Sequence, residues 1–557
     1  MRTYKRLQMF VHAEKLIDDK TNLRDGDVSV FLRLGSDSKS NYYEYEVPLS
    51  LTEPGNYSTY NVQDQEAVWP QSNMFDFPLS LFTDLKLERN AKKRMDNSTV
   101  TFQTRYSSYD PDKNQNKVTI VGNPSLSDVR TMMIGVRNNS NAAKDIVVWV
   151  NEMRLTDFDQ SGGWAAKANV NLGLSDIATL NIAGHVETVG FGGIDQSLTE
   201  RRLDDYYQYN IATMVELGRF LPEKVKLKAP LFYSITEQRT SPKYNPLDQD
   251  ILLKDALDNV GSKAERDSIS DASIEKSTVE SFSLSGVSFD IRSKNPMPYD
   301  PANFSISYSY NRQSKQDPTT EFENTYDYRG SFTYSYTPFV KPFVPLKGLK
   351  SKSKHLKFLK EWEFNYLPNN IAFNTNMSRY YYEQQIRDVS GSGGMALPTS
   401  VSKSFLWDRQ FSLTWNLTKS INLSLQTMTN AHIEEPVGVV NKQLFPDEYE
   451  AWKDSVWHSI KNLGTPLAFQ QNFDFSWKIP INKIPVFSWI TPDVSFNSSY
   501  NWNRGTKLED GSTLGNTINN SRNINGNVKF NLETIYNSVP FLKKALSRTT
   551  RTSSSAR

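Results

Sequence analysis

The residues that could bind a metal or transfer a proton are few and scattered in this sequence. No histidine has a second histidine or a carboxylate at the spacing of a metal site. We therefore expect each one to be an ordinary surface or interface residue. The five histidines are His12, His185, His355, His432 and His458.

One acidic stretch resembles the start of a calcium-binding loop. Asp157, Asp159 and Ser161 place oxygen atoms at positions one, three and five, and Gly162 stands at position six. Position twelve is Ala168 rather than glutamate. We therefore interpret the stretch as a turn that carries the chain from one structural unit into the next.

The sequence patterns of other catalytic and ligand-binding sites are also incomplete or missing. The glycine clusters Gly190–Gly193 and Gly391–Gly394 lack the strand-to-helix context of a phosphate-binding loop and are interpreted as mobile loops. No serine-nucleophile elbow is present, and no spacing singles out a pair of carboxylates. The absence of cysteine excludes thiol catalysis, disulfides and thiolate metal sites. We predict no catalytic, cofactor-binding or metal-binding residue, and no enzyme.

Composition points instead to a large β protein. Apolar residues make up 38% of the 557 residues, which is low, whereas aromatic residues make up 12%, which is high. Such a mixture suits a sheet that is wet on one face and apolar on the other. The net charge of +2 gives no broad electrostatic surface for nucleic acid.

The two ends of the sequence suggest an internal piece of a longer chain. The start, from Met1 to Arg6, leads into no apolar segment of a signal peptide, and no apolar run is long enough for a transmembrane helix. Residues 541–557 form a basic tail rich in serine and threonine that we expect to be disordered.

Residues 1–160 have the pattern of a water-soluble module. Strand-like runs are separated by long polar turns, which predicts an antiparallel β-sandwich. The boundary is expected near Asp159–Gly163, where two glycines give the backbone freedom to change direction. The residues expected to build its core are Phe31, Leu34, Met133, Ile134, Val148 and Val150.

From Trp164 onward, apolar and polar residues alternate in long, repeated runs. Alternation with a period of two gives each strand one apolar and one polar face. We count roughly fourteen such strands over residues 161–540. Their apolar positions include Val170 and Leu172, Phe304 to Tyr310, Phe332 to Tyr336, Trp362 to Tyr366, Phe411 to Leu417, Phe473 to Trp477 and Ile524 to Leu532.

Two folds satisfy this alternation: a stack of soluble sandwiches and a transmembrane β-barrel wall. The strands run to roughly 9–13 residues, which is long for a sandwich and sufficient to cross a bilayer when tilted. Aromatic residues crowd the strand ends, as at Tyr380–Tyr382, and the polar face is rich in asparagine, serine and threonine. These features favour an all-β fold with part of a barrel wall, and short turns on one side and long loops on the other.

Two connections are expected to contain helices. Residues 447–463 place Tyr449, Trp452, Val456, Ile460 and Leu463 at helical spacing, with Gly464 as a stop signal. This helix should pack on the rim of the barrel or inside it. Residues 248–273 are more charged and are expected to lie in water. A lysine-rich stretch from Lys347 to Lys360 is either a contact with anionic lipid or a solvated turn.

Several stretches of the sequence are distinctive. They are VWVNEMRLTDFD at 148–159, GGWAA at 162–166, SPKYNPLDQD at 241–250, KNPMP at 294–298, FLWDR at 405–409 and WKDSVWH at 452–458. These stretches resemble motifs of the SprA/Sov family of Bacteroidota, and the resemblance runs from about Tyr42 to the last strands. The motifs are typical of turns and strand ends, so they mark no catalytic site.

The resemblance implies a function in protein transport. That family forms the outer-membrane translocon of the type IX secretion system and is linked to gliding motility. The implied partners are folded cargo proteins with C-terminal secretion domains, other secretion-system subunits, plug proteins and outer-membrane lipid, with no nucleic acid and no cofactor. The implied location is the outer membrane, with periplasmic or surface-exposed loops. The family's members are far longer than this chain.

A different class of function remains open on the residues alone. Exposed aromatic side chains on a stack of β-sandwiches would suit a cell-surface adhesin or a carbohydrate-binding protein. The module of residues 1–160 fits that alternative as well as it fits an accessory domain of a translocon.

Overall fold

The computed structural model describes residues 3–541 except positions 96, 199, 347, 349–361, 389–396, 441, 443–444, 507, 509–511 and 539–540. The lysine-rich stretch, the second glycine cluster, His355 and residues 542–557 of the tail lie outside the described residues. The fold is dominated by antiparallel sheets, so the prediction of an all-β class is confirmed.

Residues up to 158 form two sheets around one core. One sheet has three strands in the order β4-β1-β8, and the other has five in the order β5-β6-β3-β2-β7. The strands are β1 (Tyr4–Lys15), β2 (Val28–Gly35), β3 (Tyr42–Pro48), β4 (Phe75–Pro78), β5 (Tyr106–Tyr109), β6 (Lys117–Val121), β7 (Thr131–Asn138) and β8 (Ile146–Phe158). Two helices accompany them, α1 (Val62–Val68) and α2 (Ser80–Arg94).

Aromatic stacking joins the two sheets. Tyr45 of β3 lies parallel to Phe77 of β4, with ring centroids 3.9 Å apart, and Tyr43 stacks on Phe82 of α2 at 4.9 Å. Both pairs are buried in a hydrophobic cluster whose residues come from β1, β2, β3, β4, β6 and α2. Offset stacking of buried rings adds to the stabilisation from apolar burial, so these pairs fix how the two sheets and α2 fit together.

Three of the six residues predicted to build the core of the module are exposed instead. Leu34 and Phe31 are buried and Val148 is half-buried against the core, but Met133, Ile134 and Val150 are exposed. Position at a sheet edge does not by itself explain this exposure, because β4 is also an edge strand and its Phe75 and Phe77 are fully buried. Met133, Ile134 and Val150 lie at positions of β7 and β8 that the rest of the module leaves uncovered.

A second, much larger sheet contains fourteen strands. Along its path the order is β24-β23-β22-β21-β20-β19-β18-β17-β16-β13-β11-β10-β9, with β12 paired to β16 beside that path. The strands are β9 (Ala165–Leu174), β10 (Ala178–Glu187), β11 (Asp204–Glu216), β12 (Leu227–Lys228), β13 (Pro230–Pro242), β16 (Glu275–Phe289), β17 (Phe304–Gln316), β18 (Thr320–Tyr336), β19 (Asn370–Ile386), β20 (Ser400–Asn416), β21 (Ile421–His432), β22 (Thr465–Lys478), β23 (Ile490–Asn503) and β24 (Thr517–Phe530). Nearly every strand pairs with its neighbour in sequence, as in a meander.

One bulge keeps the alternation in phase. On β16 the register shifts between Leu284 and Val287, which pair with Tyr308 and Ile306 of β17. One extra residue in β16 therefore leaves Leu284 and Val287 on the same face of the sheet. Gly286 supplies the positive φ of 61° that this irregularity uses.

Long connections occur at both ends of the large sheet, contrary to the expectation of short turns at one end. The end where β9 begins, called here the module end, carries residues 188–203, 243–274 and 433–464. The opposite end carries the short turns 175–177 and 417–420 but also residues 337–369. Residues 362–366, expected as a strand, form only an isolated bridge between Phe364 and Phe343.

The helical connections are as expected in position. Residues 243–274 contain the small hairpin β14 (Tyr244–Asn245) and β15 (Asp248–Leu252), followed by α3 (Leu253–Asp258) and α4 (Lys263–Ser273). Residues 433–464 contain α5 (Pro446–Lys461), and α6 (Leu532–Ser538) follows β24. Short 3-10 turns cover Leu217–Phe220, Glu223–Val225, Pro301–Asn303, Pro480–Lys483 and Pro485–Phe487. Within the described residues, every helix falls short of the length and apolarity needed to cross a bilayer.

Candidate transport wall and its rim

The large sheet has two chemically distinct faces. Residues that pair directly across antiparallel strands point to the same face, so the register assigns each side chain to one of them. The row Phe304, Tyr334, Phe373 and Phe411 lies on one face, called here the apolar face. A further row on the same face contains Trp415, Leu423, Phe475, Phe496 and Ile524.

The apolar residues form a band that crosses the strands obliquely. A row of directly paired residues runs perpendicular to the strands. Starting from Leu180 on β10, the row passes through Thr213, Tyr233, Phe282, Tyr310 and Tyr328 and reaches Arg379. The row therefore starts in the apolar band and ends outside it. By β23 the band has moved about ten residues along the strand, to Phe496, over about ten strand-to-strand steps. With about 3.3 Å per residue and about 4.8 Å between strands, the strands are tilted by about 35° to the perpendicular of the band.

The opposite face, called here the polar face, carries mainly asparagine, serine, threonine and glutamine. Neighbouring strands are linked on it by hydrogen bonds between side chains. Asn210 donates to Thr236 at 2.6 Å, Thr333 to Asn374 at 3.1 Å, and Asn497 to Asp474 at 2.6 Å. Such groups are well hydrated, so this face suits contact with water.

The apolar face does not form the interior of a sandwich. Tyr308 is exposed, and Phe304, Phe411 and Trp415 are half-buried. Side chains between two packed sheets would be buried. The pattern therefore favours a single wall with a different medium on each side.

The connection Ile433–Gly464, called here the rim excursion, folds back onto the apolar face. Its helix α5 begins at Pro446, has Asp447 and Glu448 in its first turn, and has His458 and Lys461 in its last turn, which suits the helix dipole. Trp452 stacks on the guanidinium of Arg379 on β19, at 4.8 Å from the ring centroid. The expected stripe is present in Tyr449, Trp452, Val456 and Ile460, whereas Leu463 is exposed.

A buried carboxylate holds the rim excursion in place. Glu435 accepts hydrogen bonds from the Arg379 guanidinium at 2.9 Å and from the Trp452 indole at 2.6 Å, and its side chain is only 3% exposed. The excursion therefore lies on the apolar side of the sheet, whereas the sequence alone left the rim or the interior of the barrel open. A buried charge with this many partners strongly disfavours undocking.

Asp159, from the candidate calcium loop, is engaged by cations of the protein. Its carboxylate accepts a hydrogen bond from Lys243 at 2.7 Å and lies 3.8 Å from Lys5. The hydrogen bond from Lys243 and those from Ser161 lower the pKa of Asp159 to about 2. The chain leaves β8 at Phe158 and enters β9 at Ala165, so this turn ties both units together.

The remaining chemical candidates are dispersed. The His12 ring lies 2.6 Å from the carbonyl of Val68, and the His185 ring lies 3.1 Å from Glu187. His458 contacts Asn462 within α5, and His432 ends β21. Among the described residues, no group of three or more histidine, aspartate and glutamate side chains could hold a metal ion.

A second junction was not apparent in the sequence. Lys86 of α2 contacts Asp248 and Asp250 of β15, with 2.9 Å between its Nζ and Asp250 Oδ1, and donates to the carbonyl of Pro124 at 2.7 Å. Asp250 also accepts from the Tyr43 hydroxyl at 2.6 Å and from the amide of Leu126 at 3.1 Å. We call the side chains of Lys86, Tyr43, Asp248 and Asp250 the latch.

The latch places residues 243–274 against the module rather than in water. Leu253, Ala256, Val260 and Ile274 are buried there, whereas residues 261–268 are exposed, so the expectation of a solvated segment is wrong for α3 and the end of α4 and right for the start of α4. Both acids lie in the motif at 241–250, yet their partner lies more than 160 positions earlier. No local pattern in the sequence indicates a contact over such a separation.

The family described as "Motility related/secretion protein", SprA_N, matches residues 1–257, which include the module, the first strands of the large sheet and both latch acids. No curated protein matches the chain.

Among solved structures, two forms of one receptor from E. coli K12 are similar to the chain at low scores. The ferric-catecholate import receptor Fiu in its open form shows 10% identity over 67% of this chain and 61% of that chain, with a TM-score of 0.19. The closed form shows 10% identity over 71% and 66%, with a TM-score of 0.19. The chain thus spans less than two thirds of the receptor's length.

The family match covers the whole module, the junction at Asp159 and the motif that carries the latch acids. Residues 1–257 thus match the SprA_N family of motility-related and secretion proteins, which supports membership of the chain in the SprA/Sov family.

Proposed function

We propose that the chain forms part of the wall of a protein-conducting channel in the bacterial outer membrane, as the translocon component of a type IX secretion system linked to gliding motility. The observation that carries the proposal is the oblique apolar band on one face of a single sheet whose other face is polar. Strands of transmembrane barrels are tilted by about 35–45°, and the band gives about 35°.

In this function the wall acts by its surfaces, without a chemical step. The apolar face contacts outer-membrane lipid, and the polar face lines a water-filled passage. Folded cargo proteins with C-terminal secretion domains pass along asparagine, serine and threonine side chains that remain hydrated. Other secretion-system subunits and plug proteins would seal the passage and supply its gating.

Two adjacent residues on β20 offer a matched test. Ser412 and Leu413 are neighbours, so they point to opposite faces. A photo-cross-linking residue at Ser412 should capture cargo in transit in living cells, and the same residue at Leu413 should capture lipid. Cargo captured equally at both positions, or at neither during active secretion, would contradict a transport wall with this orientation.

A further inference from the structure

We propose that the rim excursion Ile433–Gly464 is a membrane-interface anchor, which sets Val437 and Trp457 in the lipid–water boundary beside the apolar band. This inference rests on the proposed membrane wall and adds a contact with lipid that the wall alone does not provide.

Three contacts seat the excursion on the apolar face. Arg379 and Tyr381 of β19 and Lys403 of β20 point to that face by register, because Tyr381 pairs with Lys403 and Arg379 pairs with Tyr328. Arg379 binds Glu435, Lys403 donates to the carbonyl of Pro436 at 2.6 Å, and the Tyr381 hydroxyl accepts from the amide of Val440 at 3.2 Å. The excursion therefore runs along the side of the wall that meets lipid.

The height of these contacts matches a bilayer boundary. On β19 the band is centred near Phe373, and Arg379 lies six residues further toward the module end. Along a strand tilted by about 35°, six residues rise by about 15 Å. This is about half of a hydrocarbon core of about 30 Å, so Arg379 and the excursion lie at its edge.

The surface of the excursion that faces away from the wall exposes several large apolar side chains among the charged ones of α5. Val437 is fully exposed, in the run from Pro436 to Val440, and the Trp457 side chain is 58% exposed. Phe445, before α5, and Leu463, after it, are also exposed. A tryptophan with an apolar ring and a polar N–H is favoured at the lipid–water boundary.

The charged residues of α5 are compatible with this position. Lys461 lies over the Trp457 ring at 5.5 Å, so its long side chain can lie on the ring and extend its ammonium toward water. Glu448 lies nine residues before Trp457, which places the two on opposite flanks of the helix. Glu450 and Lys453 lie on the Trp457 flank and pair with each other at 3.1 Å. That flank therefore suits the lipid–water boundary rather than the hydrocarbon core, and Glu448 lies on the flank assigned to water.

The absence of cysteine allows a direct measurement with single spin labels on the full chain. Trp457→Cys and Val437→Cys are labelled after reconstitution into phosphatidylethanolamine–phosphatidylglycerol vesicles, with Glu448→Cys as the matched control. Collision with oxygen, which concentrates in lipid, is compared with collision with a water-soluble nickel complex. We expect the ratio of oxygen to nickel collisions to be several-fold higher at positions 457 and 437 than at position 448.

Two further labels separate this inference from the proposed wall. Leu413→Cys on the apolar face should report lipid, and Ser412→Cys on the polar face should report water. If Leu413 reports lipid while Trp457 matches Glu448, the anchor is wrong and the wall stands. If Leu413 also reports water, the wall is wrong. A Trp457 label shielded from both oxygen and nickel would show a covering protein and overturn the lipid assignment.

Discussion

Asp250, in the connection between β13 and β16, is fully buried against Lys86 of α2, which precedes it by 164 positions. The contact means that the module of the first 158 residues is completed by a segment that leaves the large sheet and returns to it. Residues expected to form an independent unit therefore depend on a later part of the chain for the neutralisation of a buried ammonium group.

The latch predicts different effects of one substitution in two contexts. In residues 1–160 alone both acids are absent, so Lys86→Met breaks no ion pair and should change the stability of the isolated module little. In the full chain the same change leaves Asp248 and Asp250 without their cation and should destabilise the docked segment by about 3–5 kcal/mol. Urea unfolding of the fragment, and hydrogen exchange of residues 248–274 in the full chain, measure the two effects. An equal loss of stability in both would contradict the latch.

Separate folding of residues 1–160 is itself testable. We expect this fragment to be soluble without detergent and rich in β structure, because the stacked pairs of Tyr45 with Phe77 and Tyr43 with Phe82 lie entirely within it. Its circular dichroism melt should be cooperative. Aggregation of this fragment unless detergent is present would assign its strands to the membrane wall.

Docking of the latch should strengthen as the pH falls. Burial raises the pKa of Asp248 to about 6, with neighbouring Asp250 acting in the same direction and Lys86 against it. A folded-state pKa above the usual value of 3.8 means that the docked state gains stability on protonation and loses it as the pH rises through about 6. Protection of amides in 248–274 should be about fourfold higher at pH 5.5 than at pH 7.5, after correction for intrinsic exchange.

Other ionisable groups lie near Asp248, so that experiment needs a control that isolates the contribution of Asp248. Arg89 of α2 and Tyr43 lie in the same electrostatic neighbourhood, and burial with nearby Asp255 raises the pKa of Asp84 in the same direction. Asp248→Asn should remove most of the pH dependence, and Asp317→Asn, in a distant turn, should leave it unchanged. An unaltered pH profile in the Asp248→Asn chain would disprove this assignment.

A charge on the apolar face should be costly, and the same charge on the polar face should not. Leu413 lies near the centre of the band on β20, between Phe411 and Trp415. Leu413→Arg should reduce folding stability in vesicles by about 2–4 kcal/mol, and Ser412→Arg by much less. Reversible urea titrations followed by tryptophan fluorescence measure the difference. Equal costs at the two positions would argue against a lipid-facing band.

Removal of the arginine under α5 should release the rim excursion. Arg379→Met leaves Glu435 buried without its cation, which costs about 3 kcal/mol, whereas Lys403→Met removes one hydrogen bond to a carbonyl and costs about 1 kcal/mol. Limited proteolysis should cut residues 433–464 much faster in the first variant than in the second. Equal resistance in both would show that α5 is held by contacts other than this pair.

The sequence by itself determined the class of the fold and the direction of its side chains. Alternation with a period of two is a property of each strand alone, so rows such as Phe304 to Tyr310 are assigned correctly before any pairing is known. The helix at 446–461 is likewise local, because its stripe, its first-turn acids and Gly464 lie within about twenty residues. Which face of a strand another layer covers is not a local property, and Met133, Ile134 and Val150 were placed in a core that they do not join.

Only the tertiary structure decided the tilt of the band, the position of α5 on the apolar face and the contacts of the latch. The tilt depends on the register between strands, which is set by pairings such as Phe473 with Ser498 rather than by either strand. Glu435 and Arg379 are 56 positions apart, and Lys86 and Asp250 are 164 apart. A buried ion pair is defined by the distance and the exclusion of water between two groups, and neither quantity exists in an extended chain.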